Sequence, residues 1–154
     1  MATASSRRGP ELRGPVYVDA SALVKLYFPE PESDELNQTL KGRRDLLVSD
    51  LAVTEVASSL ARRRREGAVE SEVVARLYRT LLAHLEGDLY QRVELVPATH
   101  REAERLLLSM ESARLRAADA LHLALAIAGD AGAVLTYDGH LAGAARVLGL
   151  EVHP

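Results

Sequence analysis

Four carboxylates, Asp19, Glu55, Asp119 and Asp138, stand where packing alone gives little reason for an acid. Asp19 ends the β-branched run Val16, Tyr17, Val18 and leads straight into an apolar helix. Asp138 follows a second such run, 133–136, so both acids belong on one edge of a parallel sheet, where open α/β folds hold ligands. Asp119 lies in the first turn of a segment, 117–128, that is apolar almost all round apart from Asp119 and His122. An ionised carboxylate there costs several kcal/mol unless something cationic faces it. Glu55 borders the stripe Ala52, Val53, Val56, Ala57 and Leu60, and its small neighbours Ser58 and Ser59 leave room beside it.

Taken singly, each acid has an ordinary role. Asp19 can cap a helix, Asp119 can complement a helix dipole, Asp138 can sit in a turn before Gly139, and Glu55 can be a surface acid. Taken together, they suit a hard divalent cation. Mg2+ and Mn2+ prefer oxygen ligands, cancel the repulsion between neighbouring carboxylates, and can activate water against a phosphodiester while stabilising the leaving oxygen. The chain has no cysteine, so thiolate sites, thiol nucleophiles and disulfides are excluded, and a metal must be held by oxygen or histidine.

The elements that position these acids alternate. Strands are expected at 16–19, 46–48, 93–96, 133–136 and 150–152. Helices are expected at 20–27, stopped by Pro29 and Pro31, at 33–41, from Ser49 or Asp50 to Glu66, at 70–86, at 117–128 and at 141–148. Gly42, Gly67 and Gly149 close three of them. Thr99 to Glu102 reads as a capping box opening a helix that carries Ala103, Leu106, Leu107 and Met110. Strand alternating with helix predicts an α/β fold with a central, mainly parallel sheet.

At 154 residues and 47% hydrophobic content the chain forms one domain with a single core. Residues 1–14 are polar and read as a flexible tail before a domain at 15–154. No apolar run approaches the roughly 20 residues of a membrane span, and the first residues lack a signal-peptide core, so a soluble, cytoplasmic protein is expected. The net charge of −3 argues against a broad basic surface. Lys25 and Lys41 are the only lysines among 19 basic residues; GC-rich codon usage accounts for the arginines more simply than phosphate recognition does.

The motifs Val-Asp-Ala-Ser-Ala-Leu-Val-Lys-Leu-Tyr at 18–27, Thr-Glu-Val-Ala at 54–57, Ala-Asp-Ala-Leu-His-Leu-Ala at 118–124 and Thr-Tyr-Asp-Gly-His-Leu at 136–141 carry a resemblance. In their order and spacing the chain resembles PIN-domain ribonucleases, and among them the small VapC-type toxins of toxin-antitoxin pairs, over 16–152. The resemblance implies a three-layer α/β/α PIN-like domain. It implies that Asp19, Glu55, Asp119 and Asp138 form an acidic site for one or two Mg2+ or Mn2+ ions and hydrolysis of RNA, with Asp19 and Asp119 the firmest ligands, Glu55 a ligand directly or through water, and Asp138 a metal ligand or a group that orients water, alone or once substrate is present. Thr136 would orient a carboxylate or water, with Ser21 as a helper. It further implies a homodimer and a VapB-like antitoxin whose C-terminal segment covers the site. Related toxins begin almost at the first strand, so residues 1–14 depart from the pattern.

Other residues receive plainer readings. The run Arg62 to Arg65 is expected to spray around a helix end, where it favours the dipole and offers one or two contacts to RNA or antitoxin. Arg114 and Arg116 are balanced between phosphate contact and a surface salt bridge. His122 is expected to be a hydrogen-bonded core histidine, His140 exposed, and His84, His100 and His153 form no ligand spacing. A phosphoacceptor receiver would need a late lysine, and a haloacid-dehalogenase phosphatase an Asp where Ser21 stands. The remaining alternatives are a non-catalytic RNA-binding or interaction module and a solitary PIN nuclease.

Overall fold

The structure is a computed structural model that describes residues 11–111 and 114–154. Five strands, β1 (Val16–Val18), β2 (Leu46–Ser49), β3 (Gln91–Val93), β4 (Ala133–Leu135) and β5 (Glu151–His153), form one sheet in the order β3-β2-β1-β4-β5. Every pairing is parallel. Among the described residues seven helices accompany them: α1 (Ala20–Tyr27), α2 (Ser33–Leu40), α3 (Asp50–Arg65), α4 (Ser71–Glu86), α5 (Pro97–Ser109), α6 (Ala117–Ala128) and α7 (Gly139–Val147).

Side chains alternate across each strand and sort the helices into two layers. Val16, Val18, Leu46, Val48, Ala133 and Leu135 face α1 to α4, where Leu23, Leu36, Val56, Leu60 and Leu81 fill one core. Tyr17, Leu47 and Val134 point the other way, into a second core with Ala103, Leu106, Leu123, Leu125 and Leu141 of α5, α6 and α7, so the sheet divides the single core expected from composition into two. The expected three-layer α/β/α architecture is therefore observed, with the apolar helix α6 buried as its sequence requires. Among the described residues no helix is long and apolar enough to cross a membrane.

Strand order decides where a ligand can enter. The chain leaves β1 toward β2 on one side and returns to β4 on the other, so the connections diverge at the carboxyl ends of β1 and β4. Such a divergence opens a crevice at the sheet edge. Asp19 and Thr136 are the first residues beyond those two strands.

Several boundaries differ from expectation for local reasons. The third strand lies at Gln91–Val93, not 93–96, because β2 ends at Ser49 paired with Val93. Beyond it, the Leu95 amide bonds the Asp50 carboxylate at 3.2 Å instead of continuing the ladder. The next helix begins at Pro97, whose fixed φ suits a first helical position. Thr99 is thus inside the first turn and buried, and the expected capping box is not formed. The tail expected over 1–14 lies outside the described residues up to residue 10. Leu12 is buried in the first core, its carbonyl accepts from Arg43 at 3.1 Å, and the Arg13 amide bonds Glu151 at 3.0 Å. Gly67 closes α3 with φ of 73°, a left-handed conformation that a side chain would strain.

Candidate active site

Asp19 caps α1, as a strand-to-helix acid should, and is also held from two other directions. Its Oδ1 accepts the Ala22 amide at 3.0 Å and the Ser21 hydroxyl at 2.7 Å, while Oδ2 accepts the Thr136 hydroxyl at 2.8 Å. Thr136 Oγ1 in turn accepts the Asp138 amide at 3.0 Å, and Ser21 Oγ accepts the Tyr137 amide at 2.8 Å. The two hydroxyls therefore lock the end of β1 to the turn after β4. Asp19 is only 4% exposed, and burial pushes its carboxyl above the ordinary range; the hydrogen bonds from Ser21, Ala22 and Thr136 offset this only in part.

The cation that a buried Asp119 demands is Arg116, three residues earlier. Its Nε and Nη2 bond the two Asp119 oxygens at 2.8 and 3.0 Å, and its amide adds a third bond at 3.1 Å. The same Nη2 reaches Asp138 Oδ2 at 2.7 Å. Asp138 Oδ1 caps α7, accepting the amides of His140 at 2.8 Å and Leu141 at 3.3 Å. Burial alone would raise the Asp138 carboxyl, but the bonds from Arg116, His140 and Leu141 outweigh it and hold it below its ordinary value. Arg116, balanced in sequence between phosphate and surface pairing, is thus a clamp on two acids; its i, i+3 spacing from Asp119 was the available signal.

Glu55 projects from α3 toward α6, where Oε2 meets His122 Nε2 at 2.7 Å. His122 is buried and hydrogen-bonded on both nitrogens, since Nδ1 lies 2.7 Å from the Tyr17 hydroxyl. The expected core histidine is found, with a partner in the acidic group that its position in sequence did not disclose.

All four acids line one cleft of about 740 Å³ at the carboxyl edge of the sheet, with Ser58 and Ser59 on its wall. Thr136 lies behind Asp19 as a supporting residue and not on the cleft surface. Among the described residues no three Asp, Glu or His side chains converge on one point as ligands do. Asp119 and Asp138 are instead bridged by a guanidinium, so a positive charge already stands where two carboxylates meet. The donor set, oxygen throughout, is of the type that Mg2+ and Mn2+ select.

The cleft is also lined by arginines of α3, the helix that carries Glu55. Arg62, Arg63 and Arg65 line the same cleft, so the run at 62–65 sprays less than expected: three of its four side chains reach one face. Arg63 lies over the Phe28 ring at 4.4 Å and is paired with Glu30. Glu30 also bonds Lys25, which reaches Glu32 at 2.9 Å and covers the Tyr137 ring at 4.8 Å. Nothing in the sequence spacing pointed to this network, because it joins α1, α3 and the turn after β4.

Burial works to raise the Glu30 carboxyl, but Lys25 and Arg63 prevail and hold it below its ordinary value of 4.5. Its contribution to stability is present above pH 4.5 and is lost as pH falls through the lowered folded value. In Glu30→Gln, thermal melts recorded from neutral to acid pH are expected to show a shallower decline than the wild type. An unchanged decline would show that the network carries no such linkage.

Comparison with known proteins places these features. The PIN domain profile matches residues 16–147. The chain is 36% identical over 141 residues to ribonuclease VapC46 of Mycobacterium tuberculosis, covering 89% of this chain and 95% of the relative. It is equally identical, over 89% of its length and 94% of the relative's, to ribonuclease VapC35 of the same species. Among solved structures, M. tuberculosis VapC20, a sarcin-ricin loop cleaving toxin, superposes with a TM-score of 0.66 at 15% identity, covering 84% of this chain and 94% of that one. FitAcB from Neisseria gonorrhoeae gives 0.64 at 16% identity, covering 90% and 96%. With the profile spanning nearly the whole fold and the VapC ribonucleases matched almost end to end, the chain belongs to the PIN-domain family.

Proposed function

We propose that the protein is a divalent-metal-dependent endoribonuclease and the toxin of a toxin-antitoxin pair, acting in the cytoplasm as a homodimer. The observation that carries the nuclease reading is the cleft itself. Asp19, Glu55, Asp119 and Asp138 come from four separate parts of the chain and line one cavity together with Arg62, Arg63 and Arg65. Acids for hydrolysis and arginines for phosphates in one cleft suit a polyanionic substrate. The names of the relatives, ribonucleases VapC46 and VapC35, support RNA as that substrate.

Asp19 and Asp119 are the proposed principal ligands of one or two Mg2+ or Mn2+ ions, with Glu55 and Asp138 completing the set. Such an ion, when bound, supplies a water of lowered pKa and neutralises charge on the scissile phosphate. The chain's own residues do the rest. Ser21 and Thr136 fix the Asp19 carboxylate, Thr136 couples it to the Asp138 amide, and the arginines that line the cleft orient the backbone of the substrate. Arg116 occupies oxygens of both Asp119 and Asp138, so its transfer to a substrate phosphate would free both carboxylates for the metal.

A second reading, a non-catalytic RNA-binding or interaction module, is favoured by one observation: Asp119 and Asp138 are paired with Arg116 and Glu55 with His122, and among the described residues no three acids or histidines converge. Incubation of the purified protein with a broad RNA pool separates the two. Cleavage that requires Mg2+ or Mn2+, stops in EDTA and returns with metal is the expected result. RNA that is bound but never cut under any metal would favour the module. The toxin assignment is tested by growth: a small protein that co-purifies and suppresses arrest supports it, and its absence favours a solitary nuclease.

A further inference from the structure

A single line of hydrogen bonds runs through the second core from α3 across the sheet and back to α3. The Ala52 amide donates to Ser49 Oγ at 3.1 Å. Ser49 Oγ lies 2.8 Å from the Tyr17 hydroxyl, which lies 2.7 Å from His122 Nδ1. His122 Nε2 then meets Glu55 Oε2 at 2.7 Å. Ser49, Tyr17 and His122 are all at most 4% exposed, whereas the Glu55 side chain is 36% exposed and borders the cleft.

Donors and acceptors can be counted along this line in one consistent direction. A carboxylate only accepts, so with neutral imidazole the proton facing Glu55 must be on His122 Nε2. Nδ1 is then an acceptor, and the Tyr17 hydroxyl must donate to it. The Tyr17 oxygen is left to accept from Ser49, whose own oxygen accepts the Ala52 amide. Every buried polar atom on the line is satisfied, and none is used twice as donor. A phenol is ordinarily protonated at neutral pH, so the Tyr17 hydroxyl is available as an O–H donor.

We infer that Ser49, Tyr17 and His122 form a directed donor chain that presents His122 Nε2–H to Glu55 and so fixes which Glu55 oxygen remains turned to the cleft. His122 and Tyr17 are positioning residues that act through Glu55. The role of Glu55 itself rests on the nuclease reading above; the direction of the chain does not. Partners of this kind behind a ligand commonly change metal affinity or activity by about 10- to 100-fold when removed.

The tautomer is read on the metal-free protein by NMR with nitrogen-15-labelled histidine, His122 being assigned by its loss in His122→Gln. The Nε2–H form, with a proton protected from exchange, is expected. An Nδ1–H form would overturn the inference whatever the cleavage assay gives. His122→Leu is expected to weaken Mn2+ binding about tenfold or more, while His122→Gln, whose amide can donate to Glu55 and accept from Tyr17, recovers most of it. Tyr17→Phe, which keeps the ring and removes one oxygen, is expected to speed exchange of the Nε2 proton and weaken Mn2+ binding in the same direction. If wild type binds Mn2+ and both His122→Leu and Tyr17→Phe bind it equally well, the positioning role is refuted. A wild type that shows the Nε2–H form yet binds no Mn2+ would leave the donor direction standing and refute the nuclease reading.

Discussion

Asp19→Asn is expected to lower RNA cleavage about a thousandfold or more, equivalent to about 4 kcal/mol in the barrier, while leaving the fold intact. The loss follows from removing the charge on the most firmly held acid of the cleft. The fold survives because the surroundings can adapt. Ser21 and Thr136 reach Asp19 through hydroxyls, and a hydroxyl can rotate to accept from the new amide where it formerly donated. Charge works in the same direction. Burial raises the Asp19 carboxyl, so its contribution to stability is greatest when it is neutral, below its ordinary value of 3.8, and is lost as pH rises through the folded value. Asparagine is neutral throughout, so at neutral pH in EDTA the variant is expected to melt no lower than the wild type. Circular dichroism and cleavage, measured on the same samples, decide the matter. Wild-type cleavage by Asp19→Asn would remove Asp19 from the site.

Removing the clamp should have the opposite signature. Arg116→Ala leaves Asp119, 3% exposed, and Asp138 facing each other with no cation between them. In EDTA the variant is expected to melt well below the wild type, because a buried carboxylate loses its partner. Added Mn2+ should then raise its melting temperature by more than it raises that of the wild type, with binding about tenfold tighter, since the ion no longer competes with the guanidinium. Cleavage should nevertheless fall if Arg116 passes to the phosphate. Equal Mn2+ stabilisation of both proteins would mean that Arg116 and the metal do not contend for the same carboxylates.

These two results bear on how the site could be found before the fold was known. Asp19, Asp119 and Asp138 were visible because each breaks a local pattern: an acid at the end of a β-branched run, an acid inside an apolar helix, an acid just beyond a buried strand. Glu55 was visible only through its small neighbours and the family resemblance, since a half-exposed helix acid breaks no pattern. His122 could be placed in the core from the apolar helix around it. That it holds Glu55, and that Tyr17 holds it in turn, had no local sign. The third strand shifted because its pairing ends where β2 ends, at Ser49 beside Val93, whereas the capping box failed locally: Thr99 to Glu102 matched its signal, but Pro97 had already started the helix.

The residue pattern by itself determined the alternation of strand and helix, the parallel sheet, the apolar α6, and the edge on which Asp19 and Asp138 emerge, because burial and side-chain period act between near neighbours in sequence. Tertiary structure alone decided the partners. Glu55 meets His122 across 67 residues, Tyr17 meets His122 across 105, Thr136 meets Asp19 across 117, and Arg63 meets Glu30 across 33. The physical reason is that a hydrogen bond depends on distances of a few ångströms and on direction. Both are set only when the divergence of the chain at β1 and β4 brings remote segments to one sheet edge.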